Sequence, residues 1–453
     1  MKCRPALFFL LLFFVFQPAM AEEVVVEAEE GEVRGREVTS PYLLPSLQYS
    51  ASPFEQETAA NRIGEIMGSK RGYIHPYVGI GEYYTDNLFN TESDRKGEFY
   101  TRITPGIWVM LPASRYPIRQ IRTLNTAPGG MALSRFRSKA SSRLQAYGGY
   151  QADILRHSRF TSEDHVNQRG EGFIRYNFRG GLSIQLLDVY ELNHDAYNTG
   201  DSDTLDKFKS NLFNTVISYD ISPKTYVEGE YGFYTLSYNQ DRLQFRDRDD
   251  NSFALRGFYR FLPKTSALLE YNYITLDYDE DILSDSDEHR VYLGLQWEQT
   301  DKSRWRLRVG VGDKDFDESG RDDATNLLAE IQFLHRFTPK TYVEILGSRT
   351  TNETDSLTTD YTISHRVLLR YYQRLTPRFL ATAVISYENV DYEGDAAASD
   401  REDKRGTIGF DLKYTLTNWL AMSGGYSFVK RDSTNEESEY DRNNVYLNLV
   451  FSL

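Results

Sequence analysis

Phe337-Thr338-Pro339-Lys340-Thr341 reads as a turn, and its wording recurs in Ile221-Ser222-Pro223-Lys224-Thr225, Phe261-Leu262-Pro263-Lys264-Thr265 and Leu375-Thr376-Pro377-Arg378. The prolines stand 40, 76 and 38 residues apart. The gap of 76 is two periods with Asp301-Lys302 at its midpoint, and Thr417-Asn418 lies about 41 residues past Pro377. A repeat of about 40 residues follows, each unit being strand, long polar loop, strand and short turn. Proline and asparagine suit such turns because they fix or tolerate the backbone angles and need no ladder hydrogen bond.

Between the turns the side chains alternate with period 2, as a two-faced strand requires. Leu307, Val309 and Val311 alternate with Arg304, Arg306, Arg308 and Gly310. Val291, Leu293, Leu295 and Trp297 alternate with Arg290, Tyr292, Gln296 and Glu298, and Val445, Leu447, Leu449, Phe451 and Leu453 with Asn444, Asn448 and Ser452. One apolar and one polar face over 10 to 14 residues is the pattern of a strand with lipid outside and a lumen inside. The fold expected is all-β, a transmembrane antiparallel up-and-down β-barrel. Eighteen strands are counted from 73–85 to 440–453, with sixteen as the fallback. An even number puts both chain ends on the periplasmic side.

Composition agrees with a barrel. Aromatics make up 14 % of the chain, with 33 Tyr, although mean hydropathy is −0.55. Strands apolar on one side only, with aromatic girdles at both interfaces, reconcile the two. Residues 1–21 read as a secretory signal peptide: Lys2 and Arg4, the apolar run Leu7–Phe16, then Ala19-Met20-Ala21. The single cysteine, Cys3, lies in that leader, so disulfides, thiol catalysis and cysteine-held metals are not expected afterwards. Without the leader, 50 basic residues face 66 acidic ones, a net charge of −16 that argues against nucleic acid as a partner.

The barrel is expected to occupy residues 72–453, preceded by a largely irregular periplasmic extension over 22–71. The connections assign the sides, short turns to the periplasm and long loops outward. Asp277 to Glu288 holds seven carboxylates and no basic residue, whereas the short turns carry Lys224, Lys264, Lys302, Lys340 and Arg378. Segment 112–140 is a long basic insertion on the turn side, with Arg115, Arg119, Arg122, Arg135, Arg137 and Lys139, and is a candidate arm for an acidic periplasmic partner.

No catalytic pattern stands out. The seven histidines are scattered, none at a two-histidine metal spacing or in a Gly-x-Ser-x-Gly setting, so the chain is read as a non-enzyme without cofactor or metal. The acidic run from Asp277 does not match a calcium loop. It suits a solvated rim bridged by divalent ions to lipopolysaccharide. The candidate functional residues are the inward charges: Glu228 and Glu230, Arg256 and Arg260, Glu270, Glu298, Arg304, Arg306 and Arg308, Glu330, Glu344, Arg366 and Arg370. Opposite charges on paired strands stabilise each other by about 0.2–1 kcal/mol, which is explanation enough for any one of them. The row Arg304, Arg306 and Arg308 is the hardest to neutralise and the best candidate to bind anionic groups, since the planar guanidinium donates two parallel bonds.

Tyr84-Thr85-Asp86-Asn87-Leu88-Phe89, followed by Thr104-Pro105-Gly106, resembles the opening of the putative β-barrel porin 2 family, as do the Pro-Lys/Arg turns and the terminal strand. The resemblance covers about residues 72–453. It implies a Gram-negative outer-membrane barrel associated with exopolysaccharide export, and no catalytic residues. The expected function is passage of solutes through the barrel, with a secreted polysaccharide as the finer reading. Adhesion or anchoring through the acidic loops is the alternative, and a barrel hydrolase the third. The expected partners are outer-membrane lipid, lipopolysaccharide and periplasmic polysaccharide-export proteins. A homo-oligomer is compatible with such a barrel, but no contact for one is legible in the sequence.

Overall fold

A computed structural model describes residues 73–112, 123–131, 143–195, 205–300, 302–318, 321–354, 356–357, 359–394, 401–417 and 419–452. Residues 1–72, on which the expected leader and the extension over 22–71 fall, lie outside the described residues.

The alternating segments form eighteen strands in one closed sheet. In chain order they are β1 Ile74–Thr85, β2 Glu98–Leu111, β3 Leu144–His157, β4 His165–Asn177, β5 Leu182–His194 and β6 Lys207–Ser222. Next come β7 Thr225–Tyr238, β8 Arg248–Leu262, β9 Thr265–Tyr278, β10 Ser286–Thr300, β11 Ser303–Phe316 and β12 Ala324–Thr338. The last six are β13 Thr341–Glu353, β14 Tyr361–Thr376, β15 Phe379–Glu393, β16 Glu402–Thr415, β17 Leu420–Ser433 and β18 Tyr440–Ser452. Each pairs antiparallel with its neighbour in sequence. β1 closes the ring on β18, from Tyr77 opposite Ser452 to Thr85 opposite Asn444. The count of eighteen stands, and the fallback of sixteen is not needed.

The repeated turn wording has a local cause. Ser222 Oγ accepts from the backbone N–H of Lys224 at 3.2 Å. Thr338 and Thr376 do the same for Lys340 at 3.1 Å and Arg378 at 3.3 Å. A hydroxyl before Pro-Lys thus satisfies a turn N–H that the ladder cannot reach. At this short-turn end the outward face carries Tyr219, Tyr259, Phe261, Trp297, Phe337, Trp419 and Phe451, all exposed, the aromatic girdle of a membrane barrel. Above it stands the apolar band, including Leu255, Leu269, Leu293, Leu307, Leu327, Val367, Ile385, Phe410 and Leu447.

Candidate functional site

The inner wall divides by chemistry. From β7 to β16 it is a belt of paired charges. The register sets Glu228 opposite Arg256, Arg256 opposite Glu270, Arg308 opposite Glu330, Glu344 opposite Arg370, and Glu388 between Arg366 and Arg405. Arg256 is bonded to Glu230 and lies 3.0 Å from Glu270. Arg308 reaches Glu270 and Glu330 at 2.8 Å each, and Arg370 reaches Glu344 at 2.9 Å. Arg366 bonds Glu388.

Glu270 on β9 and Arg308 on β11 are separated by β10. Their contact depends on Gly294, which stands between Leu268 and Arg308 in the register. A Cβ there would come within 3.0 Å of the Arg308 Cβ and 2.5 Å of the Leu307 carbonyl oxygen, so only glycine leaves the path clear. Arg308 also lies over the Tyr292 ring at 4.2 Å.

These placements divide the thirteen candidate residues. Arg306, Arg308, Arg256, Arg366, Arg370, Glu228, Glu230, Glu270, Glu330 and Glu344 gather in the belt, deeper than the strand ends. Arg260, Glu298 and Arg304 lie at the short-turn mouth, within two residues of their strand ends. The row of three arginines is therefore not one unit. Arg308 is held by two carboxylates, Arg306 is buried with Glu270 at 3.9 Å, and only Arg304 sits at the mouth. Sequence reasoning treated the row as hard to neutralise because it weighed each strand against its direct neighbours. The pairing across Gly294 supplies the missing carboxylate.

From β18 through β1 to β5 a row of rings runs along the wall, with a charged cluster beside it, Arg169 bonded to Glu171 and Glu191. Tyr446 stacks on Tyr83 at 5.5 Å and Tyr83 on Tyr100 at 5.1 Å. Tyr100 faces His157 at 5.3 Å, and His165 and His194 continue the row. Three histidines scattered in sequence thus meet at the long-loop ends of β3, β4 and β5. Among the described residues, however, no group of three or more His, Cys, Asp or Glu is placed to hold a metal ion. Tyr83 and Tyr446 pack against Leu346, Leu368 and Val384 of β13 to β15, joining the two sectors inside the barrel.

The β2–β3 connection emerges on the turn side, as the sequence indicated, but reaches further than a turn-side insertion. It leaves β2 and returns to β3 at the short-turn end, yet its tip, residues 123–131, lies among inward side chains near the opposite end. Residues 113–122 and 132–142, with the six basic residues of the insertion, lie outside the described residues. Tyr234 of β7 donates its hydroxyl hydrogen to Asn125 Oδ1 at 2.9 Å, and Asn125 Nδ2 donates to Asp195 at 3.1 Å. Arg248 of β8 donates to the Asn125 carbonyl at 2.5 Å. The N–H of Gly129 donates to Asp250 at 2.8 Å, and Thr123 bonds Glu191 of β5. On the other side the Glu353 N–H at the end of β13 donates to the Thr126 carbonyl at 2.7 Å.

β13 reaches the tip because it leaves its neighbour. Its pairing with β12 stops at Arg349, opposite Ala329, four residues before the strand ends. The freed end turns inward: Glu353 accepts from Lys314 of β11 at 2.6 Å and from Tyr278 of β9 at 2.7 Å. The tip thus bridges β5, β7 and β8 to β13, five strands away in the sheet. Its Pro128–Gly130 turn is buried, and Gly129 and Gly130 adopt left-handed φ of 70° and 73°. A Cβ on Gly130 would fall 2.4 Å from the Tyr234 ring, so glycine is required by both backbone and space. The sequence signals were a 32-residue connection (112–143) where the other turns are short, and a neutral Asn-Thr-Ala-Pro-Gly-Gly tip between basic flanks.

The family described as "Putative beta-barrel porin 2" matches residues 126–453. No curated protein matches the chain. Solved structures similar to it include OccK3 (OpdO) of Pseudomonas aeruginosa, at 12% identity over 84% of this chain and 95% of that one, with a TM-score of 0.41. The outer membrane protein OpdK of Pseudomonas aeruginosa gives 10% identity over 84% and 99%, with a TM-score of 0.42. OccAB4 of Acinetobacter baumannii gives 12% over 84% and 99%, with a TM-score of 0.43. The barrel rests on its own register, the closed sheet of eighteen strands.

Proposed function

The chain belongs to the Putative beta-barrel porin 2 family, and on that premise we propose that it is a non-enzymatic outer-membrane channel whose bore is set by its own β2–β3 segment. The observation that carries the reading is the bridge from β5, β7 and β8 through residues 123–131 to Glu353. Eighteen strands enclose a lumen wide enough for an aqueous channel. A segment held across it by seven hydrogen bonds to the wall among the described residues narrows the path and decides what passes. The belt charges stiffen the wall rather than offer spare cations, so selectivity falls to the mouth residues Arg260, Glu298 and Arg304 and to the bridge. A secreted polysaccharide is the finer reading and rests on the family resemblance.

The test is single-channel conductance of refolded protein in a planar bilayer. Replacing residues 113–142 by a short turn is expected to raise conductance. Gly130→Ala, which must displace the tip at a cost of about 1–2 kcal/mol for its left-handed residue alone, is expected to give noisier and larger openings. Block of the openings by an acidic oligosaccharide would support the polysaccharide reading. A folded barrel that stays silent in both forms would sink the channel and favour the anchor.

A further inference from the structure

The outward face of a barrel in lipid should be apolar at mid-depth, and one sector is not. On β9 the central outward residues are Leu269, Tyr271 and Tyr273, and on β10 they are Val291, Leu293 and Leu295. On β4 they are Gln168, Gly170 and Gly172, and on β3 they are Gly148, Tyr150 and Ala152, Tyr150 donating its hydroxyl hydrogen to Gln168 at 2.9 Å. A Cβ at Gly172 would meet nothing within 4 Å, so the surface is hollow there. Lone outward glycines occur elsewhere, such as Gly257, but that one stands between Leu255 and Tyr259.

Beside the hollow, directly opposite Gly172 in the register, is Asp188. It is the seventh of the thirteen residues of β5 and points outward, between Leu186 and Tyr190. Every other outward carboxylate among the described residues lies within four residues of its strand end. Asn211 on β6, also outward, donates to Asp188 Oδ1 at 3.2 Å, and the second carboxylate oxygen has no partner among the described residues. Acyl chains offer no donor, and a charged group at bilayer depth costs a few kcal/mol unless it is paired. A protein surface is the only neighbour at that depth able to supply the missing hydrogen bond.

We propose that the outward face of β3 to β6 is the contact surface for a second copy of this chain. This rests on the membrane-barrel reading above. Copies inserted the same way share one orientation, so their groups meet at equal depth about an axis along the bilayer normal. The face suits itself under that constraint. A hollow at Gly172, with the small Gly170 and Ala152 near it, lies beside a ridge of Leu186, Tyr190 and Phe213. An acceptor, Asp188, lies beside the donor amide of Asn211. Four strands about 4.8 Å apart over a band about 25 Å tall give about 500 Å² per copy, or about 1,000 Å² in all, which meets the lower bound for a specific interface.

The chain's one cysteine, Cys3, is in the leader, so single-cysteine variants report cleanly. In native membranes, Gly172→Cys and Ala152→Cys are expected to cross-link into a band of twice the chain mass, and Leu293→Cys on β10 is not. Native mass spectrometry of the wild type is expected to show an oligomer that Gly172→Trp reduces to monomer, with heat-modifiable gel mobility unchanged. A monomeric wild type with no cross-link at either site, in a barrel that still inserts and shows that mobility, would overturn the proposal. So would a cross-link to a different protein. Loss of insertion and mobility in the wild type would instead remove the membrane reading beneath it.

Discussion

The β7–β16 wall and the wall of β18 and β1–β5 share one strand geometry and are held in different ways. In the first, carboxylates and guanidiniums are buried against each other, each arginine reaching one or two acids. In the second, tyrosine and histidine rings stack in a row. The lesson is that an inward charge on a barrel strand need not face water. A belt that is neutralised around the ring is structural, and what it surrounds must be decided elsewhere, here by the segment crossing from β5–β8 to β13.

The largest effect separating the sectors is expected at Glu270. Glu270→Ala leaves Arg256, Arg306 and Arg308 buried around a missing carboxylate, and stranding one partner of a buried pair costs about 3–5 kcal/mol. Urea unfolding in detergent, followed by heat-modifiable mobility, measures it. High salt is expected to recover little, because the group is shielded from solvent. Tyr83→Leu in the ring sector is expected to cost less, about 1–2 kcal/mol, since it removes stacking while keeping most of the apolar volume. Equal losses at the two positions would erase the distinction between the sectors.

The smallest effect sharpens the comparison at the rim. Asp164, in the loop before β4, accepts the backbone N–H of His157 at 2.7 Å, and with Arg156 nearby its carboxyl is held below its ordinary value of 3.8. A depressed carboxylate contributes stability above its unfolded pKa and loses it as pH falls through the lower folded one. Asp164→Asn is therefore expected to be slightly less stable than wild type at neutral pH, with the gap closing below pH 3.8. A gap that widened on acidification would reverse the assignment.

Most of the fold was legible because its determinants are local. Period-2 alternation marks each strand and its faces, and a Ser or Thr before Pro-Lys marks the turns, since the hydroxyl caps the N–H two residues on. The inward identity of all thirteen candidate residues followed from the same period. Their roles did not, because partners such as Glu270 and Arg308 meet over an intervening strand. The three histidines at the ends of β3 to β5 were likewise too far apart in sequence to be associated.

By itself, the sequence determined a barrel of eighteen strands, its two faces and its two unlike ends, because alternation and turn chemistry act within a few residues. Only the tertiary structure decided that the β2–β3 tip lies inside, that Arg308 is doubly paired, and that Asp188 stands opposite Gly172. Those depend on closure of the ring, which fixes what stands across the lumen and at what depth. A strand's own pattern carries the face of each residue, but not its partner on the far side.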